Sequence, residues 1–179
     1  RARMTLRLAG PLLLVGAGKM GGALLAGWFK QGLDPALVLV QDPAPPPDVT
    51  ALLVRHGIAS GSPPALPRAP SVVVIAVKPQ ATDAVLREVR PLLGRETVVL
   101  SIAAGRTLKS IAKPLPKGTG IVRAMPNTPA LVDEGMAAMT SPDTVACRRA
   151  LCTSTIGGSP ATVHEGHAFY DPEGEKLRA

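Results

Sequence analysis

Gly16, Gly18 and Gly21, with Ala17, Lys19 and Met20 between them, have the spacing at which a chain can hold a phosphate with its own backbone. Each glycine has its own task in such a loop. Gly16 permits a sharp turn, Gly18 lets the backbone approach a pyrophosphate, and Gly21 lets the next helix lie close to the preceding strand. The N–H groups that open that helix have no intrahelical partners and carry partial positive charge, which favours an anion in front of them. Asp42 follows Gly21 by 21 residues, where this fingerprint expects an acid that accepts hydrogen bonds from an adenosine ribose. An Asp before Pro also opens turns, and Asp42 leads into "PAPPPD", so both readings stand at this point. Arg55 is the first cation after Asp42, which leaves no obvious partner for a 2′-phosphate in that loop and, taken alone, favours NAD over NADP.

In a chain with 18 glycines the pattern could arise by chance, so its surroundings must decide. One rival is a targeting segment: Arg1, Arg3 and Arg7 ahead of Leu8 to Val15 imitate a basic region followed by an apolar one. Against it, the apolar stretch is short, contains Pro11, shows no convincing cleavage site and runs straight into the glycines. A strand, a glycine turn and a helix account for more of the residues. Leu12 to Val15 form the aliphatic run of a strand buried on both faces. Met20, Leu24 and Trp28 then recur at helical spacing with Leu25 and Phe29 beside them, and Gly32 can cap the end.

The alternation continues along the chain. Leu37 to Val40 predicts a strand, residues 48 to 57 a short helix ending at Gly57, and residues 60 to 70 a Pro-rich surface loop. "SVVVIAV", Ser71 to Val77, is the most strand-like segment of all. After Lys78, Pro79 suits the first turn of a helix carrying Val85, Leu86, Val89, Leu92 and Leu93 and closed by Gly94. Thr97 to Ile102 and Gly120 to Ala124 are further strands, with a short helical piece at Leu108 to Ala112 between them. Pro142 to Leu151 reads as a helix and Ala161 to His164 as a last short strand, while residues 166 to 179 show no sustained apolar period.

Aliphatic strands alternating with helices predict an α/β fold: a Rossmann-like, doubly wound, mostly parallel sheet with helices on both faces. Its ligand belongs beyond the carboxyl ends of the strands, where the loops at Gly16, Asp42, Lys78, Ala103 and Asn127 fall. The expected layout is an N-terminal extension over 1–10, one NAD(P)-binding domain over 11–165, and an irregular tail over 166–179.

The totals narrow the partners. With 46% apolar residues and no apolar run near the roughly 18 a membrane helix needs, the chain reads as globular and cytoplasmic, with no membrane partner. The net charge of +7 is scattered, and aromatics are only 2%, so bases would find few rings to stack on and no nucleic-acid partner is expected. Cys147 and Cys152 with three histidines elsewhere do not make a zinc site, so no metal is expected and the thiols read as reduced. No paired carboxylates and no Ser/His/Asp or Cys/His arrangement stands out. Hydride transfer needs none of them, because the cofactor carries the chemistry.

"VGAGKMGGALLAG", "VVVIAVKPQ", "VLSIAAG" and "MPNTPALV", in this order and at these separations, closely resemble the N-terminal domain of pyrroline-5-carboxylate reductase, the last enzyme of proline synthesis. The resemblance covers about residues 11 to 140 strongly and continues weakly to about 165. It implies reduction of 1-pyrroline-5-carboxylate to L-proline with NADP or NAD. It also implies cofactor contacts: Gly16, Ala17, Gly18, Lys19, Met20 and Gly21 at the pyrophosphate, Asp42 at the ribose, Ala76, Val77, Lys78 and Pro79 at the central part, and Ile102, Ala103 and Ala104 on the nicotinamide side. Asn127 and Thr128 would sit at the reacting end, as the candidate catalytic residues. The plainer alternatives are core packing for Ala76, Ile102 and Ala103, a solvated strand end for Lys78, and loop stiffening by the prolines of "MPNTP". Where the family often has an Asn before "AVKP" that helps bind the adenosine phosphate, this chain has Ser62-Pro63, and together with Asp42 this leaves the choice of nicotinamide open.

In that family a helical C-terminal domain follows, makes most of the substrate-carboxylate pocket and interlocks two chains as a dimer. This chain does not show it. The expectation is therefore a truncated form with reduced or no activity alone, for which a monomer is allowed although full-length relatives are homo-oligomers. Arg1 in place of Met suggests a gene fragment or frame-shifted product, with Met4 as a natural start. The competing readings are a dinucleotide-binding module without turnover and the NAD(P) domain of a hydroxy-acid dehydrogenase.

Overall fold

The computed structural model describes residues 8–61, 68–126 and 137–140. Six strands form one sheet: β1 (Leu12–Val15), β2 (Val38–Gln41), β3 (Val72–Ile75), β4 (Val98–Ser101), β5 (Gly120–Pro126) and β6 (Ala137–Thr140). Their order is β2-β1-β3-β4-β5-β6, and the first five run parallel while β6 returns antiparallel to β5. In register, Leu12 lies between Val38 and Val72, and Val15 between Gln41 and Ile75.

Parallel strands must be covered on both sides, and β1, β3 and β4 are buried at every position. Because side chains alternate, each strand supplies two cores. Leu12, Leu14, Val72, Val74 and Leu100 meet α1 (Lys19–Lys30) and α2 (Pro47–Arg55) through Leu25, Trp28, Val49 and Leu53. Leu13, Val15, Val73, Ile75 and Val99 meet α3 (Thr82–Val89) and α4 (Leu108–Ala112) through Leu86, Val89 and Ile111. Each fully buried Leu or Ile contributes roughly 1.5–3 kcal/mol, so the two layers drive the fold. Helices do lie on both faces, as the aliphatic alternation predicts.

The edge beyond β2 carries one more element. Ser60 makes a parallel bridge to Val40, so the chain leaving α2 lies outside β2 before crossing to β3 in the middle of the sheet. β1 is thus flanked by strands reached in opposite directions, and the crevice between its end and that of β3 is the switch point at which such sheets bind ligands.

The helix ends follow their residues. Gly32 has φ +85, Gly32 N–H donates to Phe29 C=O and Leu33 N–H to Trp28 C=O, which closes α1 with its last carbonyls satisfied. Gly57 ends α2 in the same way, with φ +67 and Ile58 N–H donating to Leu53 C=O.

The helix predicted from Pro79 to Leu93 is a correction. Only Thr82–Val89 is α-helical, flanked by 3-10 turns at Pro79–Ala81 and Arg90–Leu92. Pro91 has no N–H for the next α-helical bond, so the regular ladder ends at Val89 although the apolar spacing runs on. Strand ends also move inward. Ser71 turns its hydroxyl to the carbonyls of Gly10 and Pro11, and Thr97 donates to Pro70 C=O at 2.6 Å, so both hold the sheet from just outside it. Leu37 belongs to a 3-10 turn (Pro35–Leu37) capped by Asp34, and β2 begins one residue later. β6, "AAMT", has too little apolar alternation to be read as a strand. The helix expected at Pro142 to Leu151, the strand at Ala161 to His164 and the tail lie outside the described residues.

Candidate functional site

The glycine loop leaves β1 at Gly16, whose φ of +88 favours glycine. A Cβ there would stand 2.8 Å from the Ala76 carbonyl oxygen, so the loop is pressed against the end of β3. A Cβ on Gly21 would lie 2.2 Å from the Gly16 carbonyl oxygen, and one on Gly22 2.4 Å from Val49 Cγ2. These three glycines answer to contacts within the protein. Gly18 does not. Its φ of −68 suits any residue, and a Cβ on it would meet nothing within 4 Å. Gly18 stands at the N-terminus of a helix, and with neither backbone angle nor neighbours requiring a glycine there, its approach is open and a pyrophosphate fits that position.

Gly18 is also the N-cap of α1 and offers no side chain to satisfy the helix end. The first helical bond is Gly22 N–H to Gly18 C=O at 2.7 Å, which leaves the amides of Lys19, Met20 and Gly21 ahead of it. No acid occupies the first turn. The positive end of a 12-residue helix therefore faces the space beside Gly18.

Asp42 opens its turn, as one of the two readings above expects, and also reaches the glycine loop. Its Oδ1 accepts the Ala44 N–H at 2.9 Å, the bond of a turn opener. Its Oδ2 accepts the Ala17 N–H at 2.6 Å, which ties the end of β2 to the glycine loop. Gly16 N–H donates to Gln41 C=O at 3.0 Å and makes a second tie. A carboxylate has about four lone-pair sites, so capacity for a sugar hydroxyl remains. Beside it opens a cavity of ≈ 280 Å³ lined by Val15, Gly16, Gln41, Asp42, Val77 and Glu88. That is just under the roughly 300–1,000 Å³ of small-molecule sites and suits one end of a dinucleotide.

The remaining expected residues gather at the ends of β3 and β4. Ala76 N–H donates to Val15 C=O at 2.8 Å and Ile102 N–H to Ile75 C=O at 3.0 Å, so both continue the pairing one step past the strands. Both also pack on the α1–α2 core, as the plainer reading of them as packing residues expects. Ala103 is buried and its N–H donates to Ser101 Oγ at 3.3 Å, whereas Ala104 is exposed. Lys78 is exposed and its carbonyl accepts the Ala81 N–H, which fixes the turn at Pro79. Lys19 lines a separate cavity of ≈ 440 Å³ between α1 and α2, with Asp48, Leu52 and Arg55. Asn127 and Thr128 lie outside the described residues.

Three features escaped the sequence reading. Gln41 is buried with Oε1 unpartnered in the wall of the Asp42 cavity. Glu88 reaches the same cavity from α3. Arg106, just past Ala104, pairs with Asp83 of α3 and ties the loop after β4 to the helix after β3. Position was the available signal for two of them, since Gln41 ends β2 and Arg106 lies just past β4, while Glu88, near the end of α3, carried none.

The model of one family, described as NADP oxidoreductase coenzyme F420-dependent, matches residues 12–105, from the start of β1 to the turn after β4. The chain belongs to this NADP oxidoreductase family. Among its relatives, pyrroline-5-carboxylate reductase of Escherichia coli strain K12 is 40% identical over 128 residues, which is 70% of this chain and 47% of the relative. The enzyme of the same name from Methanosarcina acetivorans is 36% identical over 121 residues, 67% of this chain and 45% of the relative. The structure of a pyrroline-5-carboxylate reductase from Coxiella burnetii superposes with a TM-score of 0.72 at 27% identity, covering 87% of this chain and 60% of that one. The resemblance carried by the four motifs is borne out. The chain spans about half the length of the curated relatives it matches. Among the described residues, no helix is long and apolar enough to cross a membrane.

Proposed function

We propose that the chain is the dinucleotide-binding half of a pyrroline-5-carboxylate reductase, occupying residues 11–165. The single observation that carries the cofactor reading is Gly18, bare for no internal reason, at the open N-terminus of α1. The relatives supply the substrate class.

In this reading the amides of Lys19, Met20 and Gly21 take the pyrophosphate, Gly16 and Ala17 shape the loop, and Asp42 receives the adenosine ribose. Val77, with Ala76, Lys78 and Pro79, borders the middle of the cofactor. Ile102, Ala103 and Ala104 border its nicotinamide end. Bound reduced nicotinamide would supply the hydride. The chain's part is placement, which dominates the rate when a protonated cyclic imine needs no strong acid from the protein. Asn127 and Thr128 are assigned to the reacting end, with backbone N–H groups near Asn127 taking part of the substrate carboxylate. The chain spans about half the length of its relatives, and this span tested by itself is expected to turn over the substrate weakly or not at all. The setting is the cytoplasm, with a small-molecule substrate and neither nucleic acid nor membrane as partner.

The test is to incubate purified chain with pyrroline-5-carboxylate and NADH or NADPH while following cofactor oxidation and proline. Saturable cofactor binding with little or no proline is expected. Turnover at the rate of a full-length relative overturns the claim of weak activity, and absence of cofactor binding overturns the whole reading.

A further inference from the structure

We propose that Asp42 makes this chain a reader of the unphosphorylated adenosine ribose, so that it binds NADH in preference to NADPH; the inference rests on the dinucleotide reading above. It sets the chain apart from its family's description as NADP oxidoreductases.

The charge around the cavity carries the argument. Among the described residues that line it, the only ionisable groups are the carboxylates of Asp42 and Glu88, and none is a Lys or Arg. Asp42 cannot swing aside at little cost, because each of its oxygens is already held, one by Ala17 N–H and the other by Ala44 N–H. A 2′-phosphate placed at that carboxylate would bring a double negative charge against a fixed single one.

The loop that follows offers nothing to offset this. Residues 43–47 read Pro-Ala-Pro-Pro-Pro, so a single backbone N–H exists in the whole stretch, that of Ala44, and Asp42 Oδ1 takes it. None of these five side chains carries a hydroxyl or a cation. The next amides open α2 beside another acid, Asp48 in its first turn. The nearby cations face elsewhere. Lys19 and Arg55 line the groove between α1 and α2 together with Asp48. Arg68 is near Gly10 and Ser71, at the amino ends of the strands and away from the crevice. A ribose bearing free hydroxyls, by contrast, finds in Asp42 an acceptor with lone pairs to spare.

The test is calorimetric titration of the full chain with NADH and with NADPH, for the wild type and for Asp42→Asn, which keeps an oxygen for the Ala17 amide and removes the charge. The wild type is expected to bind NADH at least about tenfold more tightly, and the variant to bring the two affinities within about threefold. Circular dichroism confirms that the variant is folded, and Asp42→Ser repeats the measurement if it is not. Equal or tighter binding of NADPH by the wild type overturns the proposal. So does a preference for NADH that survives loss of the charge. Heat from neither dinucleotide would instead sink the underlying reading, and the preference with it.

Discussion

A Cβ on Gly21 would stand 2.2 Å from the carbonyl oxygen of Gly16, so the first turn of α1 meets the end of β1 through bare backbone. A backbone carbonyl cannot yield as the end of a flexible side chain would. Gly21→Ala should therefore destabilise the chain by about 1–3 kcal/mol, read as a lower urea midpoint at unchanged slope. Gly27 is the control. A Cβ there meets nothing within 4 Å inside the same helix, and Gly27→Ala should stabilise by roughly 0.5–1 kcal/mol.

Gly18 separates binding from folding. Gly18→Ala puts its methyl into open space at an ordinary backbone angle, so the urea midpoint should change by less than about 1 kcal/mol of stability. The same methyl occupies the approach of a pyrophosphate, and affinity for NADH should fall at least about tenfold by calorimetry. Equal losses of stability and binding would show that Gly18 is a packing residue after all.

Trp28 is the single tryptophan of the chain and is fully buried between α1 and the sheet. Its emission should be blue-shifted and insensitive to iodide in the folded chain and should move red through a single transition in urea. Trp28→Ala should cost about 3–5 kcal/mol, since the groups around it cannot close so large a gap.

The pair Arg106–Asp83 is partly exposed, so its value for stability is modest. Asp83→Asn should lower stability by roughly 1 kcal/mol or less, and the loss should shrink in high salt. The measurement is the urea midpoint at two ionic strengths.

What could be read from the residues alone was whatever follows from period and backbone freedom. Leu12 to Val15 and Ser71 to Val77 announce buried strands because parallel pairing buries both faces, and Gly16 and Gly21 announce the turn because no other residue fits there. Pro91 shows the limit, since the apolar spacing of Leu92 and Leu93 still suggests a helix that the missing N–H ends at Val89. The long-range partners were invisible. Nothing local says that Asp42 will take the amide of Ala17 while also opening its own turn, or that Arg106 will find Asp83. Such pairs depend on which strand ends the topology sets side by side.

The position of β1 has a consequence for how the chain comes together. It precedes β3 in the chain, yet it ends in the middle of the sheet, and Leu12 pairs with Val72, which is synthesised 60 residues later. Four consecutive aliphatic side chains must therefore wait with one flank unpaired until the residues up to Ile75 are made. Nascent chains stopped short of Ile75 should stay protease-sensitive and engage chaperones, and protection should appear only once β3 has emerged.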